Sequence, residues 1–179
     1  MSECFTFFDT AIGTCTLVWS TQGIAGLQLP EHSAEATRAR ARRRFPDAIE
    51  SPPPPDIRTA IDKITALIAG ADADLADIPL DLTAVPDFDR RVYDVAREIP
   101  PGETMTYGEI AAKLGDPTAA RAVGQTLGKN PFAIIVPCHR VLAAGGRIGG
   151  FSANGGVATK RRLLAIESAH RPPPLFRSA

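Results

Sequence analysis

The feature that most constrains the fold is a change of apolar pattern partway along the 179-residue chain. Short segments rich in Phe, Thr, Val, Ile and Leu, separated by turn signals, predict antiparallel strands at the start. We place these strands at Cys4–Asp9, Thr14–Ser20 and Gly23–Leu29. Beyond residue 85 the apolar residues recur at helical spacing. We therefore predict an α/β N-terminal domain over residues 1–85, with a small antiparallel sheet plus helices, and a mostly helical C-terminal domain over residues 86–179.

The rest of the N-terminal part is predicted to contain two helices joined by a rigid linker. Ser33 can cap a helix that runs to Arg44, and we expect its five arginines to form mostly a solvated face. Pro52–Pro55 predicts a stiff polyproline segment rather than a helix. Four isoleucines at helical spacing follow, with a stop at Gly70: Ile57, Ile61, Ile64 and Ile68. A short strand is predicted at Ile78–Leu82.

The C-terminal part shows a helix-turn-helix pattern. The first helix of this part precedes the helix-turn-helix and is predicted from an apolar stripe: Phe88, Val92, Val95 and Ile99. Thr106 and Glu109 stand at capping-box spacing and start a second helix that ends at Leu114. Asp116 can cap a third helix over Pro117–Leu127. The pattern predicts a winged-helix-like arrangement, and a plain packed helix pair is the alternative.

The strongest chemical signal is the segment Val136-Pro137-Cys138-His139-Arg140-Val141, which places a thiol directly beside an imidazole. The thiolate is the reactive form of cysteine, and a neighbouring base or cation raises the thiolate fraction. Pro137 restricts the backbone just before the thiol. Cys138 is therefore a candidate nucleophile. The alternative is an ordinary buried cysteine that has a histidine beside it by accident.

A carboxylate on the last helix is the second chemical signal. Within the predicted helix Ala158–Ala169, four residues share one face: Lys160, Leu163, Leu164 and Glu167. The leucines make this the buried face, and a buried acid needs a partner. His139 in that role gives a nucleophile, a base and an orienting acid in the order Cys138–His139–Glu167. The alternative is that Glu167 pairs with an arginine at the helix edge.

Charge is segregated along the chain although the net charge is zero. Residues 1–85 hold seven basic and 12 acidic residues, whereas residues 86–179 hold 13 basic and eight acidic ones. From Pro117 onward, nine basic residues accompany the single acid Glu167. A basic segment indicates a polyanionic partner such as nucleic acid. The alternative is a solvated surface that has no partner.

The cysteine pattern favours a reducing, cytoplasmic setting, because Cys4, Cys15 and Cys138 are an odd number at no disulfide-framework spacing. We expect no targeting signal and no membrane partner, since the sequence shows neither a signal-peptide pattern nor an apolar run of membrane-spanning length. Cys4, Cys15 and His32 lack paired ligand spacing, so we also expect no metal.

In these motifs the chain resembles the O6-alkylguanine-DNA alkyltransferases, also called methylated-DNA–protein-cysteine methyltransferases. The resemblance covers about residues 86–168 and follows several runs in order: Tyr107-Gly108-Glu109-Ile110-Ala111, Ala119-Ala120-Arg121-Ala122-Val123-Gly124, Asn130-Pro131, Ile135 to Val141, Gly149-Gly150-Phe151-Ser152, Gly155-Gly156 and Lys160 to Glu167. It implies a DNA repair protein that transfers a methyl or small alkyl group irreversibly from O6-alkylguanine to Cys138. O4-alkylthymine is a second candidate substrate. The reaction would occur once per chain and without a cofactor.

The resemblance also implies individual roles in the reaction. Cys138 accepts the alkyl group, His139 acts as a base through a water, and Glu167 orients His139. Asn130 braces the turn that presents the active-site segment. Tyr107 assists base flipping and donates a hydrogen bond to N3 of the leaving guanine. The implied base pocket contains the Val141 backbone, Phe151, Ser152 and Lys160.

The implied partner is double-stranded DNA carrying O6-alkylguanine, bound by the helix-turn-helix through the minor groove. Arg121 would enter the base stack and fill the space left by the flipped nucleotide. The other expected DNA contacts are Thr106, Ala119, Ala122, Gly124 and Lys129. We expect the protein to act as a monomer.

Two departures from the family pattern concern the base pocket. Phe151 stands where many members have tyrosine, and Ala153 and Asn154 are extra residues in the lid. They leave the accepted alkyl size open. Two other function classes are the alternatives. A non-catalytic lesion sensor of the same fold is disfavoured because Cys138 is retained, and a thiol hydrolase is disfavoured because Cys138 and His139 are adjacent.

Overall fold

The computed structural model describes residues 3–169, and its N-terminal part is built on a four-stranded sheet. The three predicted strands are confirmed to within one residue at each end, as β1 (Cys4–Thr10), β2 (Gly13–Ser20) and β3 (Gly23–Gln28). Tight hairpins pair β1 with β2 and β2 with β3 in antiparallel fashion. The central strand β2 is almost entirely buried, which is why apolar and β-branched residues dominate it.

The sheet is mixed rather than purely antiparallel, which corrects the prediction. A fourth strand, β4 (Ile49–Glu50), lies parallel to β1 at the edge of the sheet. The Ile49 N–H donates to the Glu3 carbonyl at 2.9 Å and the Ser51 N–H donates to the Phe5 carbonyl at 3.0 Å. Both residues of β4 are exposed, so the strand has no apolar pattern that a sequence analysis can detect.

Two helices pack on this sheet. In α1 (Ala34–Arg44) the Ser33 hydroxyl accepts a hydrogen bond from the Ala36 N–H at 3.1 Å, as the predicted cap requires. The second helix, α2 (Pro55–Ile68), buries the predicted isoleucine stripe except for the half-buried Ile61. The polyproline prediction is wrong at its last residue. Pro55 lies in the first turn of α2, where the missing N–H of proline has no helical partner to lose.

The predicted strand Ile78–Leu82 is wrong, because only Leu80 forms a single bridge, to Ile24 of β3. Other hydrogen bonds hold this segment. The Ile24 N–H donates to the Pro79 carbonyl at 2.9 Å. The Arg97 guanidinium donates at 2.7–3.3 Å to the carbonyls of Leu75, Ala76 and Ile78. One backbone bridge and the Arg97 side chain therefore hold this segment in place of a longer strand ladder.

The C-terminal part contains four helices within the described residues: α3 (Asp87–Arg97), α4 (Tyr107–Lys113), α5 (Ala120–Gly128) and α6 (Gly156–Ser168). Both bonds of the predicted capping box form, since the Glu109 N–H donates to the Thr106 hydroxyl at 3.1 Å and the Thr106 N–H donates to the Glu109 carboxylate at 2.6 Å. α4 and α5 follow each other across a tight turn. The prediction of one helix from Pro117 is wrong, because Pro117–Ala119 is a 3-10 turn that precedes α5.

Two backbone joints connect the candidate active-site segment to the rest of the protein. β5 (Met105–Thr106), which leads directly into α4, pairs in parallel with β6 (Val141–Leu142). The Leu27 N–H of β3 donates to the Pro131 carbonyl at 2.8 Å. One apolar core continues through both parts of the chain, and the boundary at residue 85 stays a prediction. None of the helices in residues 3–169 has the length and apolar character of a membrane span.

We expect Gly23→Ala to destabilise the protein strongly. Gly23 has a φ of 137°, and an added Cβ would lie 2.7 Å from the Pro79 carbonyl oxygen. Backbone strain and a clash with backbone atoms should together lower the free energy of unfolding by about 3 kcal/mol, as measured by denaturant unfolding. The control Gly108→Ala lies in α4 with no atom closer than 3.9 Å, and should be at least as stable as wild type. Equal stability of the two variants would contradict this account.

Candidate active site

The loop that leads to Cys138 has an unusual backbone conformation. Among residues 3–169, Ile134 is the only non-glycine residue with a positive φ, at 68°. The Ile135 N–H donates a hydrogen bond to the Ala133 carbonyl at 2.8 Å. Ile134 therefore lies at the centre of a strained γ-turn. Pro137, with φ −80° and ψ 63°, centres a second γ-turn of the relaxed inverse type. This turn is closed by the Cys138 N–H, which donates to the Val136 carbonyl at 2.8 Å.

Asn130 holds both turns together. Its side-chain oxygen accepts a hydrogen bond from the Phe132 N–H at 2.9 Å, and its Nδ2 donates to the Val136 carbonyl at 3.0 Å. The Val136 carbonyl therefore receives both the Asn130 side chain and the backbone N–H of Cys138. Backbone strain persists only where the surroundings over-determine the conformation. The structure thus places Asn130 where its predicted bracing role requires it, although that role stays a prediction.

Glu167 on α6 has both of its predicted partners at the same time. One carboxylate oxygen lies 2.7 Å from His139 Nε2. Arg140 donates from Nε and Nη2 to the same carboxylate at 2.8–3.2 Å, and the Gly102 N–H adds a further bond at 3.2 Å. Arg140 is held in turn by the Ile99 carbonyl, at 2.6 Å from Nη1. The buried acid is therefore fully surrounded by donors.

These contacts set the protonation states of the acid and the base. Burial acts to raise the pKa of Glu167, but the hydrogen bonds from His139 and Arg140 and the charge of Arg140 outweigh burial and lower the pKa to about 2. Burial lowers the pKa of His139, against the opposing effect of Glu167. A neutral imidazole that donates Nε2–H to the carboxylate keeps a lone pair on Nδ1; this tautomer is assigned from the bond. Nδ1 is buried and has no partner in the described part of the chain.

The Cys138 thiol is neutral at rest. Burial raises its pKa, while the Asn130 side chain and the Lys160 charge act in the opposite direction. This differs from the expectation that a neighbouring base raises the thiolate fraction, because desolvation of a thiolate in this loop outweighs its neighbours. Chemistry at Cys138 therefore needs a base at the moment of attack, and His139 Nδ1 has the free lone pair for it.

Lys160 is buried on the apolar face of α6. Its Nζ donates to the Val141 carbonyl at 2.5 Å and lies 5.9 Å from the centre of the Tyr107 ring. A carbonyl and an aromatic face thus take the place of water around the ammonium group. Because β6 begins at Val141, this bond also fixes α6 against the strand that follows the Cys138 segment.

A cavity of about 560 Å³ opens beside Cys138. Its walls combine aromatic, small and apolar residues, which suits a flat base. They are Tyr107, Ala120, Arg121, Gly124, Gln125, Leu127, Gly128, Cys138, Gly150, Phe151 and Ser152. The segment Gly149–Ser152 passes close to the Tyr107 side chain, and this approach requires a glycine at position 149. An added Cβ at Gly149 would lie 2.9 Å from the Tyr107 hydroxyl oxygen.

Six of the fifteen predicted site residues line this cavity: Tyr107, Arg121, Gly124, Cys138, Phe151 and Ser152. Phe151 and Ser152 line it, while the buried Val141 contributes a carbonyl that is already bonded to Lys160. Of the predicted DNA contacts, Arg121 is exposed at the cavity wall, and its side chain makes no hydrogen bond within the described residues. Gly124 also lines the cavity. The remaining ones lie elsewhere on the helix pair: Thr106 caps α4, Ala119 and Ala122 are half-buried near the start of α5, and Lys129 follows its end.

Two contributors to the site were missed by the sequence analysis. Arg140 directly follows His139 in the sequence, but nothing local distinguishes it from the other arginines as the partner of Glu167. Gly102 contributes a backbone N–H, and a backbone donor has no signature in the side-chain sequence. Both become identifiable only when α6 is placed against the loop that follows α3.

The other cysteines form no second reactive centre within residues 3–169. Cys15 is fully buried in β2, and burial raises its pKa to about 12. The described residues contain no group of three or more His, Cys, Asp or Glu side chains arranged to hold a metal ion. The expectation that no metal binds stays a prediction.

Comparison with known proteins identifies the family. Residues 87–169 match the family model described as 6-O-methylguanine DNA methyltransferase, DNA binding domain. The methylated-DNA–protein-cysteine methyltransferase of Mycobacterium tuberculosis (strain ATCC 25618 / H37Rv) is 40% identical over 167 residues, which is 93% of each chain. The protein of that name from Methanothermobacter thermautotrophicus is 34% identical over 151 residues, 84% of this chain and 77% of the other.

Solved structures agree with this assignment. The crystal structure of Mycobacterium tuberculosis O6-methylguanine methyltransferase superposes with a TM-score of 0.76 at 38% identity and covers 97% of both chains. Mycobacterium tuberculosis OGT in complex with DNA gives 0.75 at 37% identity, over 94% of both chains. The chain therefore belongs to the methylated-DNA–protein-cysteine methyltransferase family. The predicted family and fold class are confirmed.

We expect the buried Glu167 carboxylate to make stability depend on pH. Its folded pKa of about 2 lies below the ordinary value of 4.5. Its stabilisation is therefore fully present above about pH 4.5 and is lost as the pH falls toward 2. In thermal unfolding, the midpoint temperature of Glu167→Gln should lie well below that of wild type near pH 7, and this difference should narrow below about pH 4.5. Glu98→Gln, which removes an exposed partner of Lys113, should follow wild type throughout. A deficit for Glu167→Gln that is constant with pH would contradict the assignment.

Proposed function

We propose that this protein repairs DNA by transferring a methyl or small alkyl group from O6-alkylguanine to Cys138, irreversibly and once per chain. The observation that carries the proposal is the arrangement around the thiol. Cys138 lies at a cavity large enough for a base. It is followed in sequence by the neutral His139, whose Nε2 lies 2.7 Å from the ionised Glu167 carboxylate and whose Nδ1 keeps a lone pair. Relatives of this chain are named for transfer to a protein cysteine, which supports the same chemistry here.

The reaction begins with proton transfer from Cys138 to His139 Nδ1, directly or through one water. Glu167 stabilises the imidazolium that forms. The thiolate sulfur then attacks the alkyl carbon in line with the carbon–O6 bond. That bond breaks, its electron pair remains on the guanine, and a hydrogen bond from Tyr107 to N3 stabilises the leaving base. No cofactor is needed, because the substrate carries the transferable carbon. The thioether product has no route back to the thiol in this site, so each chain reacts once.

The DNA contact that we propose runs along the helix pair. A base inside a duplex is inaccessible to a buried thiol, so the target nucleotide must be flipped into the cavity. Arg121 extends from α5 at the cavity wall, where it can fill the gap in the stack. The small residues Ala119, Ala122 and Gly124 let α5 approach the minor groove closely, and Thr106 lies at the start of α4. One chain supplies all of these residues, so we propose that a monomer is sufficient.

The nucleophile is tested by intact mass spectrometry after incubation with a duplex containing O6-methylguanine. Wild type should gain a single methyl group on Cys138, and Cys138→Ser should gain none while it still binds the lesion duplex, because an unactivated hydroxyl is a far poorer nucleophile than a thiolate. The control Cys15→Ser removes the other buried thiol and should still accept one methyl. Several turnovers per chain, or an adduct on another residue, would overturn the proposal.

The role of Arg121 is tested by comparing two substrates. Arg121→Ala should slow repair of duplex DNA by on the order of tenfold or more, because the unstacking free energy of a few kcal/mol is no longer offset. Reaction with free O6-benzylguanine, which requires no flipping, should change little. The control Arg161→Ala removes an exposed arginine of α6 that does not line the cavity, and should leave the ratio of the two rates unchanged. An equal loss for both substrates in Arg121→Ala would show that Arg121 supports the pocket or the fold.

A further inference from the structure

We propose that Asp89 restrains DNA binding by retaining the ammonium group of Lys129, so that DNA phosphates must compete with a buried carboxylate for this cation. The inference rests on the proposed binding of DNA by the helix pair. It assigns a function to Asp89, which has no part in the proposed transfer chemistry.

The geometry around Asp89 joins α3 to the end of α5. Asp89 lies in the first turn of α3 and its side chain is only 7% exposed. One carboxylate oxygen is 2.7 Å from Lys129 Nζ, and the other accepts a hydrogen bond from the buried Thr126 hydroxyl at 2.7 Å. Burial acts to raise the pKa of Asp89, but the bonds from Lys129 and Thr126 outweigh it and lower the pKa. The carboxylate is therefore ionised at neutral pH.

The two members of this ion pair differ in their freedom to move. The Lys129 side chain is 62% exposed, so a phosphate can reach its ammonium group. Asp89 is fixed in the helix interface and cannot follow. If Lys129 turned to a phosphate, the carboxylate would keep only the Thr126 hydroxyl and the favourable field of the α3 N-terminus. A buried charge that loses its partner is unfavourable, and this penalty reduces the gain from the phosphate contact.

The position of Lys129 makes this restraint relevant to binding. Lys129 comes between Gly128, which lines the cavity, and Asn130, which braces the active-site loop. Arg121, near the other end of α5, is exposed, and its side chain has no hydrogen-bond partner among the described residues. The α5 region thus presents two cations. Arg121 is free and lies beside the proposed site of the flipped base, whereas Lys129 is restrained by Asp89. Restraint of Lys129 weakens the part of the affinity that depends on phosphates alone and not on the lesion.

The test measures the affinity for an undamaged duplex by fluorescence anisotropy at salt concentrations from about 50 to 200 mM. Asp89→Asn keeps the size of the side chain and an acceptor for Thr126 but releases Lys129. It should bind at least about threefold tighter at low salt, with a slope of log K against log salt steeper by about 0.9. Adding Lys129→Met to Asp89→Asn replaces the ion pair with two neutral residues. This double variant should return to the wild-type affinity and slope.

Asp87→Asn is the matched control, because it removes an exposed acid from the same turn of α3. It should leave the slope at the wild-type value. Transfer from free O6-benzylguanine and the thermal unfolding midpoint report whether Asp89→Asn is folded. The inference is wrong if the double variant binds more weakly than wild type with a shallower slope, since Lys129 then already contacts phosphate. It is also wrong if Asp89→Asn and Asp87→Asn have the same effect. Failure of wild type to bind any duplex would instead overturn the proposed function.

Discussion

The buried carboxylate of Glu167 is the interaction on which the rest of the active site depends. An ionised acid inside a protein must be surrounded by donors, and removing one partner leaves an unpaired charge. Its donors come from the active-site segment, through His139 and Arg140, and from the loop after α3, through Gly102. Glu167 itself belongs to α6. One carboxylate therefore sets where three separate segments meet, and it also fixes the imidazole tautomer that leaves a base available for Cys138.

The N-terminal sheet contributes to the site through the backbone rather than through side chains in the cavity. β3 holds the Pro131 carbonyl, and the Phe132 ring packs edge-on against Tyr93 of α3, with 5.9 Å between ring centres. Both anchors lie just before the strained turn at Ile134 and fix the start of the loop that contains it. Such a turn relaxes unless its neighbours prevent it. The sheet thus acts, together with Asn130, as the support that keeps the nucleophile on a rigid loop.

Sequence reasoning succeeded where one residue type has one physical explanation. Strands with turn signals and the capping box at Thr106 each had a single explanation, and each was found. The acid among leucines on α6 had two candidate partners, and in the structure it bonds to both kinds. Sequence reasoning failed where the structure depends on backbone or on long-range partners. β4 pairs by backbone alone, and the segment around Leu80 is held by Arg97 from a distant helix. Lys129 was expected to contact DNA from the family resemblance, but its salt bridge to Asp89 depends on the packing of α3, which the local sequence does not show.

The neutral resting thiol has a physical consequence for a protein proposed to react only once. A thiolate is the form that oxidants and stray electrophiles attack, so an idle thiolate would consume the chain without repair. Burial raises the pKa of Cys138 and so keeps it protonated, while His139 stays neutral with a free lone pair close by. Ionisation then becomes favourable when an alkyl carbon lies in the cavity, because attack removes the thiolate as it forms. Under the proposed base flipping, the same burial that slows reaction in the empty site confines reactivity to the moment when the flipped base is bound.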